Sequence, residues 1–472
     1  MGGPRSAVVI GGGIAGLVWA LEAAEAGLDV TLVERSASLG GAVRTEPLGK
    51  IPVDVGAESF ALTRPDLLDL TSRLGLSETV ARPHVGQAHV AVGGRRIALP
   101  PGLLGVPGSA DDIATALGAP AAEEARSRDA APVAGPTPAT IGALVRERLG
   151  DAVADALVDP VLAGVHATRA DHAELASVAP SLHAAMQRHG GLMPAVRALR
   201  GDLGPAGSPV ATLEGGMGRL VARLATVLTE RGVRLVTGVL ATAITPGDGA
   251  AGGWHVDLDG GPGAGADIGR LAADVVCLAT AARAAAALLR GTGGRETAEV
   301  AALLDTLPTT DDVTLVTLLV EDAALSRAGA PVGSGVLVAD GSVRAKAMTH
   351  ASAKWSWLSE RLPAVHHVLR LSYGGTHATE DSDDEAFVAG ARADALDLLG
   401  GAAETLAVRA SIVTRWAGAL SRPVVGRRAT LDAIDELLDA VPGLALTGSP
   451  VAGNGLAGVV GRSVREAART LT

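Results

Sequence analysis

The chain has 472 residues, a formal net charge of −11 and one cysteine, Cys277. That length allows a large core in two or three lobes, the acidic balance argues against a nucleic-acid surface, and a lone thiol excludes an intramolecular disulfide and fits a reducing compartment. No uninterrupted run of 18 apolar residues occurs, so no membrane-spanning helix is expected and the chain reads as soluble and cytoplasmic.

Residues 7–10 form a short apolar strand. Gly11, Gly13 and Gly16 then spell G-x-G-x-x-G, with Gly12, Ile14 and Ala15 between them. Helix formers fill 17–26, Gly27 stops the helix, and 29–33 make a second strand that closes on Glu34 and Arg35. Strand, glycine turn, helix, strand and acid together are the dinucleotide-binding pattern. Gly11 permits the tight turn, Gly13 lets a pyrophosphate approach the backbone, and Gly16 lets helix and strand pack closely. The helix N-terminus offers N–H groups to the phosphates, and Glu34 can accept hydrogen bonds from ribose hydroxyls.

A second glycine pair follows at 40–45 (GGAVRT), where Gly41, Ala42 and Arg44 bring backbone N–H groups and a cation across the first turn. Residues 53–59 (VDVGAES) run from a strand into a glycine turn at Gly56, followed by Ala57, Glu58 and Ser59. Each stretch alone reads equally well as a plain turn. In this order they suit a dinucleotide larger than NAD.

Further along, 65–76 reads as a helix, 89–99 as a hairpin, 100–107 as loop, and 117–139 as a flexible surface insertion without chemistry. Residues 141–157 are helical, and 182–199 are so in part. The α/β pattern returns at 210–244, where TLEGGM at 212–217 leads into a helix over 220–231, a strand over 233–237, and Val239. Strands follow at 254–258 and 274–279; the second holds Cys277 in an apolar run, which implies a buried, inert thiol. His366 and His367 would diverge on a strand, and the remaining histidines are scattered, so no metal site is expected. Residues 313–320, 335–338 and 368–373 suggest the sheet of a second lobe, with Lys354 and Trp355 between them. The acids at 381–384 suit the first turn of a helix. A strand over 444–447 leads through Gly448 to the turn Gly453, Asn454, Gly455, Leu456, and then to a helix over 459–471. That turn either offers a second helix N-terminus to a ligand or merely precedes a closing helix.

These motifs together resemble the flavin-containing amine oxidase superfamily, and more finely its oxygen-dependent protoporphyrinogen/coproporphyrinogen oxidase branch. The resemblance rests on GGGIAGL at 11–17, Glu34-Arg35, LGGAVRT, VGAESF, TLEGGMGRL, GSGVLV, Lys354-Trp355, LRLSYGG, Thr414-Arg415-Trp416 and LTGSPVAGNGLAGVVGRS, and runs nearly end to end. It implies an α/β fold: a Rossmann-type FAD-binding domain (1–80, 210–295, 422–472), a mainly helical lobe (81–209) and a mixed-sheet substrate domain (296–421). It further implies that FAD lies with its pyrophosphate on Gly11–Gly16, its ribose on Glu34 and its adenine at Val239. Ala42, Arg44, Gly56–Ser59, Trp416 and the Asn454–Leu456 turn would border the flavin. The implied reaction takes hydride from a porphyrinogen methylene bridge to the flavin and electrons on to dioxygen, giving peroxide. It needs no acid–base dyad, and no side chain is assigned as catalytic.

Coproporphyrinogen III is the favoured substrate, because the chain lacks membrane-anchoring features and has a GC-rich compositional bias, as soluble Gram-positive members do. Gly164 and Thr168 are placed at the substrate slot; Lys346, Lys354 and Arg95 are candidates for propionate contacts, against the plainer reading of solvated surface charges. Ala88, Thr168 and Arg422 depart from the family pattern. Protoporphyrinogen IX, an amine-type donor of specialised metabolism, and a flavin-binding scaffold with little turnover stay open, as do a homodimer and a haem-pathway partner.

Overall fold

The computed structural model describes residues 5–84, 87–133, 135–201, 209–247, 253–260, 269–308, 312–339, 341–378, 383–418 and 420–471. Its centre is a five-stranded parallel sheet in the order Arg234–Thr237, Asp29–Glu34, Ser6–Ile10, Val275–Leu278, Leu444–Leu446. The middle strands are near-continuous Val, Ile and Leu because both faces are covered. One face packs against the helices Ile14–Glu25, Gly218–Glu230 and Leu456–Leu471, through Leu17, Trp19, Leu220 and Val460. The other meets a three-stranded antiparallel sheet and the helices Ala282–Arg290, Arg295–Thr306 and Arg427–Asp439.

The helix Arg295–Thr306 buries Val300, Ala301 and Leu304 in this same core, beside Val8 and Leu278. A division between residues 295 and 296 therefore cuts through a unit packed on the five-stranded sheet. Cys277 lies in the sheet, fully buried and free; burial pushes its thiol well above the ordinary range.

A seven-stranded mixed sheet forms the second layer, in the order Ala407–Trp416, Val313–Glu321, His366–Gly374, Ala347–His350, Gly335–Val338, Ala88–Val92, Arg95–Ala98. Its last two strands are the hairpin that the sequence reading left in the helical segment 81–209. They join the sheet through parallel pairing of Ala88–Val92 with Gly335–Val338, a long-range contact that local periodicity cannot reveal. One face packs on the helix Asp384–Leu399, through Phe387, Ala391 and Ala395. Asp383 caps that helix by accepting from the Glu385 N–H at 3.1 Å; residues 381 and 382 lie outside the described residues.

The helical lobe has its own core, with Ile113, Ile141, Leu157, Leu162 and Val196. Within it, residues 119–129 are an ordered helix, Ala119–Asp129, which corrects the reading of 117–139 as a featureless insertion. Low hydrophobicity misleads there because the buried positions are alanines and one charge. The Asp129 carboxylate is buried, pairs with Arg148 at 3.1 Å and accepts from the N–H groups of Leu192 and Met193 at 2.7 and 2.9 Å, at the start of the helix Leu192–Arg200. Residues 100–107 hold a short antiparallel pairing of Gly102–Leu103 with Val106–Pro107 rather than plain loop. Glu174 ties the lobe to the layer of the parallel sheet: its carboxylate accepts from the N–H groups of Gly426 and Arg428, at 2.8 and 2.9 Å, and so caps the helix Arg427–Asp439. Among the described residues, no helix is long and apolar enough to cross a membrane.

Candidate functional site

The first glycine turn lies at the carboxyl end of the parallel sheet, where open α/β sheets bind ligands. Its three motif glycines have different steric situations. A Cβ on Gly11 would lie 2.4 Å from the Ala279 carbonyl oxygen, and one on Gly16 would lie 1.9 Å from the Gly11 carbonyl oxygen. A Cβ on Gly13 would meet nothing within 4 Å. The chain's own packing thus requires Gly11 and Gly16, whereas Gly13 faces open space. No side chain caps the helix that starts there, so its first turn, including buried Ile14 and Ala15, presents N–H groups suited to an anion. These features fit a bound dinucleotide: the space beside Gly13 is one that a Cβ would fill.

Glu34 ends the second strand. One carboxylate oxygen accepts from the Gly12 N–H at 2.7 Å; the other accepts from the Ser36 N–H and hydroxyl, at 2.8 and 2.5 Å. Arg35 is exposed. Val239 is buried just beyond Gly238, whose N–H donates to the Ser36 carbonyl at 2.9 Å. Glu34 and Val239 therefore flank one loop although 205 positions apart in sequence.

The second glycine pair crosses over the first. The Gly40 N–H donates to the Gly12 carbonyl at 2.8 Å, and Gly41, at φ +57°, lies against Gly13. Ala42 is exposed and its carbonyl accepts from Ala57 at 2.8 Å. A Cβ on Gly56 would fall 2.0 Å from that same oxygen and 3.1 Å from the Trp416 ring. The Trp416 indole donates to the Val55 carbonyl at 2.8 Å, and the Arg44 guanidinium stands 5.2 Å from the Trp416 ring centroid. A continuous track thus runs from Gly13 over 40–44 to 55–59 and the seven-stranded sheet. At its other margin, Gly448 lies next to Ala15 and Ala279. The Asn454 side chain is committed to Ser421, accepting from its N–H at 2.6 Å and donating to its carbonyl at 2.9 Å. Gly455 directly precedes the last helix, Leu456–Leu471.

The far end of the track carries charge. Glu58 binds Lys354 at 2.7 Å through one oxygen and Arg370 at 3.1 Å through the other. Burial pushes the Glu58 carboxyl up, but the two cations outweigh it and hold it below its ordinary value. Arg370 also reaches the Asp54 carbonyl at 3.4 Å. The Asp54 carboxylate accepts from the Thr45 hydroxyl at 2.5 Å and from the Met217 N–H at 2.9 Å. Burial nevertheless raises its pKa to about 6, with Glu58 adding to the rise. A cavity of about 20 Å³ lies beside Asp54, Glu58, Thr317, Trp355, Trp357 and Arg370, room for a single water.

Lys354 is therefore an interior ion-pair member, unlike either sequence reading of it, the candidate propionate contact or the solvated surface charge. Asp54 and Arg370 were missed as site residues. The only local signal was the spacing of Asp54 four residues before Glu58; nothing local links either residue to Arg370.

Gly164 sits on the helix Asp159–His166, packed on Leu337. Leu337 pairs with Ala347, and Ala347 with Ser372, so Gly164 overlies the sheet face that also carries Arg370. Lys346 lies near Gly374 of the same strand. Thr168 is buried, just after Ala167 at φ +49°. Ala88 pairs with Gly335, Arg422 is half-buried, and Arg95 is exposed on the outermost strand. His367 contacts His350 at 3.3 Å and the Ser326 hydroxyl at 2.9 Å, while His366 turns to the Ala364 carbonyl. Among the described residues, no three His, Cys, Asp or Glu side chains gather as metal ligands do.

The family model for flavin containing amine oxidoreductases matches residues 14–471. A coproporphyrinogen III oxidase of Mycobacterium tuberculosis is 33% identical over 480 residues, covering 98% of this chain and 96% of that protein. One from Bacillus subtilis is 29% identical over 201 residues, 40% of this chain and 43% of that protein. A crystal structure from Exiguobacterium sp. 255-15, provisionally named a protoporphyrinogen oxidase, superposes with a TM-score of 0.82 at 25% identity, covering 99% and 98% of the two chains. Cyclohexylamine oxidase from Brevibacterium oxydans IH-35A shares the fold, with a TM-score of 0.66 at 16% identity over 99% of each chain. The chain belongs to the flavin-containing amine oxidoreductase family and is a flavin-dependent oxidoreductase.

Proposed function

We propose that this family member uses FAD to oxidise coproporphyrinogen III to coproporphyrin III, with dioxygen as acceptor and peroxide as by-product. The observation that carries the reading is the 33% identity to a coproporphyrinogen III oxidase along nearly the whole of both chains. A haem-biosynthetic role in the cytoplasm is part of the same proposal. When bound, the flavin supplies the hydride acceptor and its reoxidation by dioxygen. The chain's own residues then have positioning tasks. The turn over 11–16 takes the pyrophosphate, Glu34 the ribose, and Val239 the adenine side. Gly41, Ala42, Arg44, Gly56–Ser59, Trp416, Gly448 and the turn 454–456 border the flavin. Gly164, Thr168 and Lys346 face the substrate.

An amine donor is less well supported. Recognition of amines favours an aromatic cage, yet the single tyrosine, Tyr373, and both phenylalanines, Phe60 and Phe387, are fully buried, which leaves Trp416, against Gly56 and Val55, as one wall. Tyr373 and Phe387 pack on each other 4.9 Å apart, on the sheet face turned away from Arg370.

The test is anaerobic mixing of the purified protein with coproporphyrinogen III, followed by admission of air. Bleaching of flavin absorbance and then enzyme-dependent porphyrin fluorescence is the expected result. A flavin that stays oxidised, with fluorescence rising no faster than in a protein-free control, overturns the reading. Protoporphyrinogen IX in a parallel experiment decides between the two porphyrinogens.

A further inference from the structure

Four consecutive residues beside the track are anchored at three points. Val55 is held through its carbonyl by Trp416, Ala57 through its N–H by Ala42, and Glu58 through both carboxylate oxygens. The last anchor differs in kind from the others. Its cations come from two separate segments of the seven-stranded layer: Lys354 ends the short helix Ala351–Lys354, and Arg370 stands in the strand His366–Gly374. All three side chains are nearly withdrawn from water, at 15%, 13% and 16% exposure. The Lys354 ammonium also stands 4.8 Å from the Trp355 ring centroid. Ion pairs this deep contribute little net stability, because desolvation offsets the attraction; stability alone is therefore a weak explanation for the arrangement. With Asp54 ionised, the two carboxylates and two cations sum to zero charge. Removing any one of them leaves an unbalanced charge in a low-dielectric seam, where it acts over distance with little screening.

We propose that Glu58 is a positioning residue of the oxidation: it holds Lys354 and Arg370 against the 55–58 loop and, with Asp54, balances their charge, so that the four groups together set the potential of the flavin and the two cations are withheld from substrate carboxylates. This rests on the proposed placement of FAD along the track. Lys354 is thereby removed from the residues expected to receive a propionate.

The test compares Glu58→Gln, Lys354→Met and the double variant with the wild-type holoenzyme. The midpoint potential of the bound flavin is measured by reductive titration against a reference dye. The potential is read without any porphyrinogen, so failure of the substrate assignment leaves that measurement intact. Glu58→Gln adds one net positive charge and favours the electron-richer reduced flavin. The expected upward shift is tenfold or more in the reduced-to-oxidised ratio at fixed potential, which is ~30 mV for a two-electron couple. Lys354→Met shifts the potential downward, and the double variant returns toward the wild-type value because the charge sum is restored. The KM for coproporphyrinogen III stays within about threefold in Lys354→Met. A potential unmoved in Glu58→Gln, or singles that shift the same way with no recovery in the double, overturns the proposal in favour of a merely structural pair. So does a large rise in KM confined to Lys354→Met. If Glu58→Gln does not fold, Lys354→Met and Arg370→Leu carry the test with the sign reversed. A wild-type chain that retains no flavin overturns both this proposal and the FAD reading.

Discussion

The two ends of the proposed cofactor track are built in different ways. At the Gly11–Gly16 end, backbone makes the surface: three glycines, an uncapped helix start and one acid, all within 24 consecutive residues, 11 to 34. At the other end, side chains make it, and they arrive from Asp54, Glu58, Lys354, Arg370 and Trp416. A backbone-built site depends on local geometry and on residues that can adopt it. A side-chain-built site depends on where distant elements come to rest. The first is therefore rigid and sensitive to a single methyl group, whereas the second is sensitive to charge and pH.

The sharpest way to break this contrast is at Gly16. Gly16→Ala puts a Cβ onto the Gly11 carbonyl, which forces the first turn apart. The apo protein should lose about 3 kcal/mol or more, and flavin retention should fall with it; thermal unfolding of the apo and holo forms measures both.

At the charged end, Asp54 supplies the next largest effect. Its folded-state pKa, about 6, lies above the unfolded value of about 3.9. The folded chain thus holds this proton more tightly. The contribution is complete below about pH 4 and disappears as the pH rises through about 6, with an upper bound of ~3 kcal/mol. Asp54→Asn removes the titration. The stability difference, wild type minus variant, should therefore fall between pH 4 and pH 7 in denaturant unfolding. A pH-independent difference would show that Asp54 ionises normally.

Gly13→Ala separates ligand from fold. Nothing within 4 Å meets the added methyl group, so apo stability should change by less than about 0.5 kcal/mol, while flavin affinity weakens about tenfold, or ~1.4 kcal/mol. Equal losses of apo stability in Gly13→Ala and Gly16→Ala would remove the distinction between the two glycines. Smallest is Trp416→Phe, which keeps a ring against Gly56 but loses the hydrogen bond to the Val55 carbonyl. A cost of about 1 kcal/mol is expected, read by chemical unfolding.

Much of the molecule was legible in its residues. The run from strand to glycine turn to helix to acid fixes its own geometry, because apolar strands, helix formers and a glycine required on steric grounds are all local choices. The same holds for the strands at 313–320, 335–338 and 368–373, whose apolar, β-branched content is a property of each segment. The comparisons with relatives bear out the flavin-dependent oxidoreductase assignment that these motifs suggested.

Local residues did not reveal partnership across the chain. The hairpin at 88–98 has a strand pattern whichever sheet it joins, and only its pairing with Gly335–Val338 assigns it. The helix Arg295–Thr306 is amphipathic, but which core it covers is a tertiary fact. Residues 119–129 looked solvated because alanines carry little hydrophobic signal, and Asp129 becomes a buried cap only once Arg148 and the start of Leu192–Arg200 meet it. Lys354 is a surface charge by composition and an interior one by position. Sequence by itself determined the first glycine turn, whose surface is backbone and whose constraints lie within a few residues. Only the tertiary structure decided the charged seam, since the energy of an ion depends on its distance to partners hundreds of residues away and on the water excluded around it.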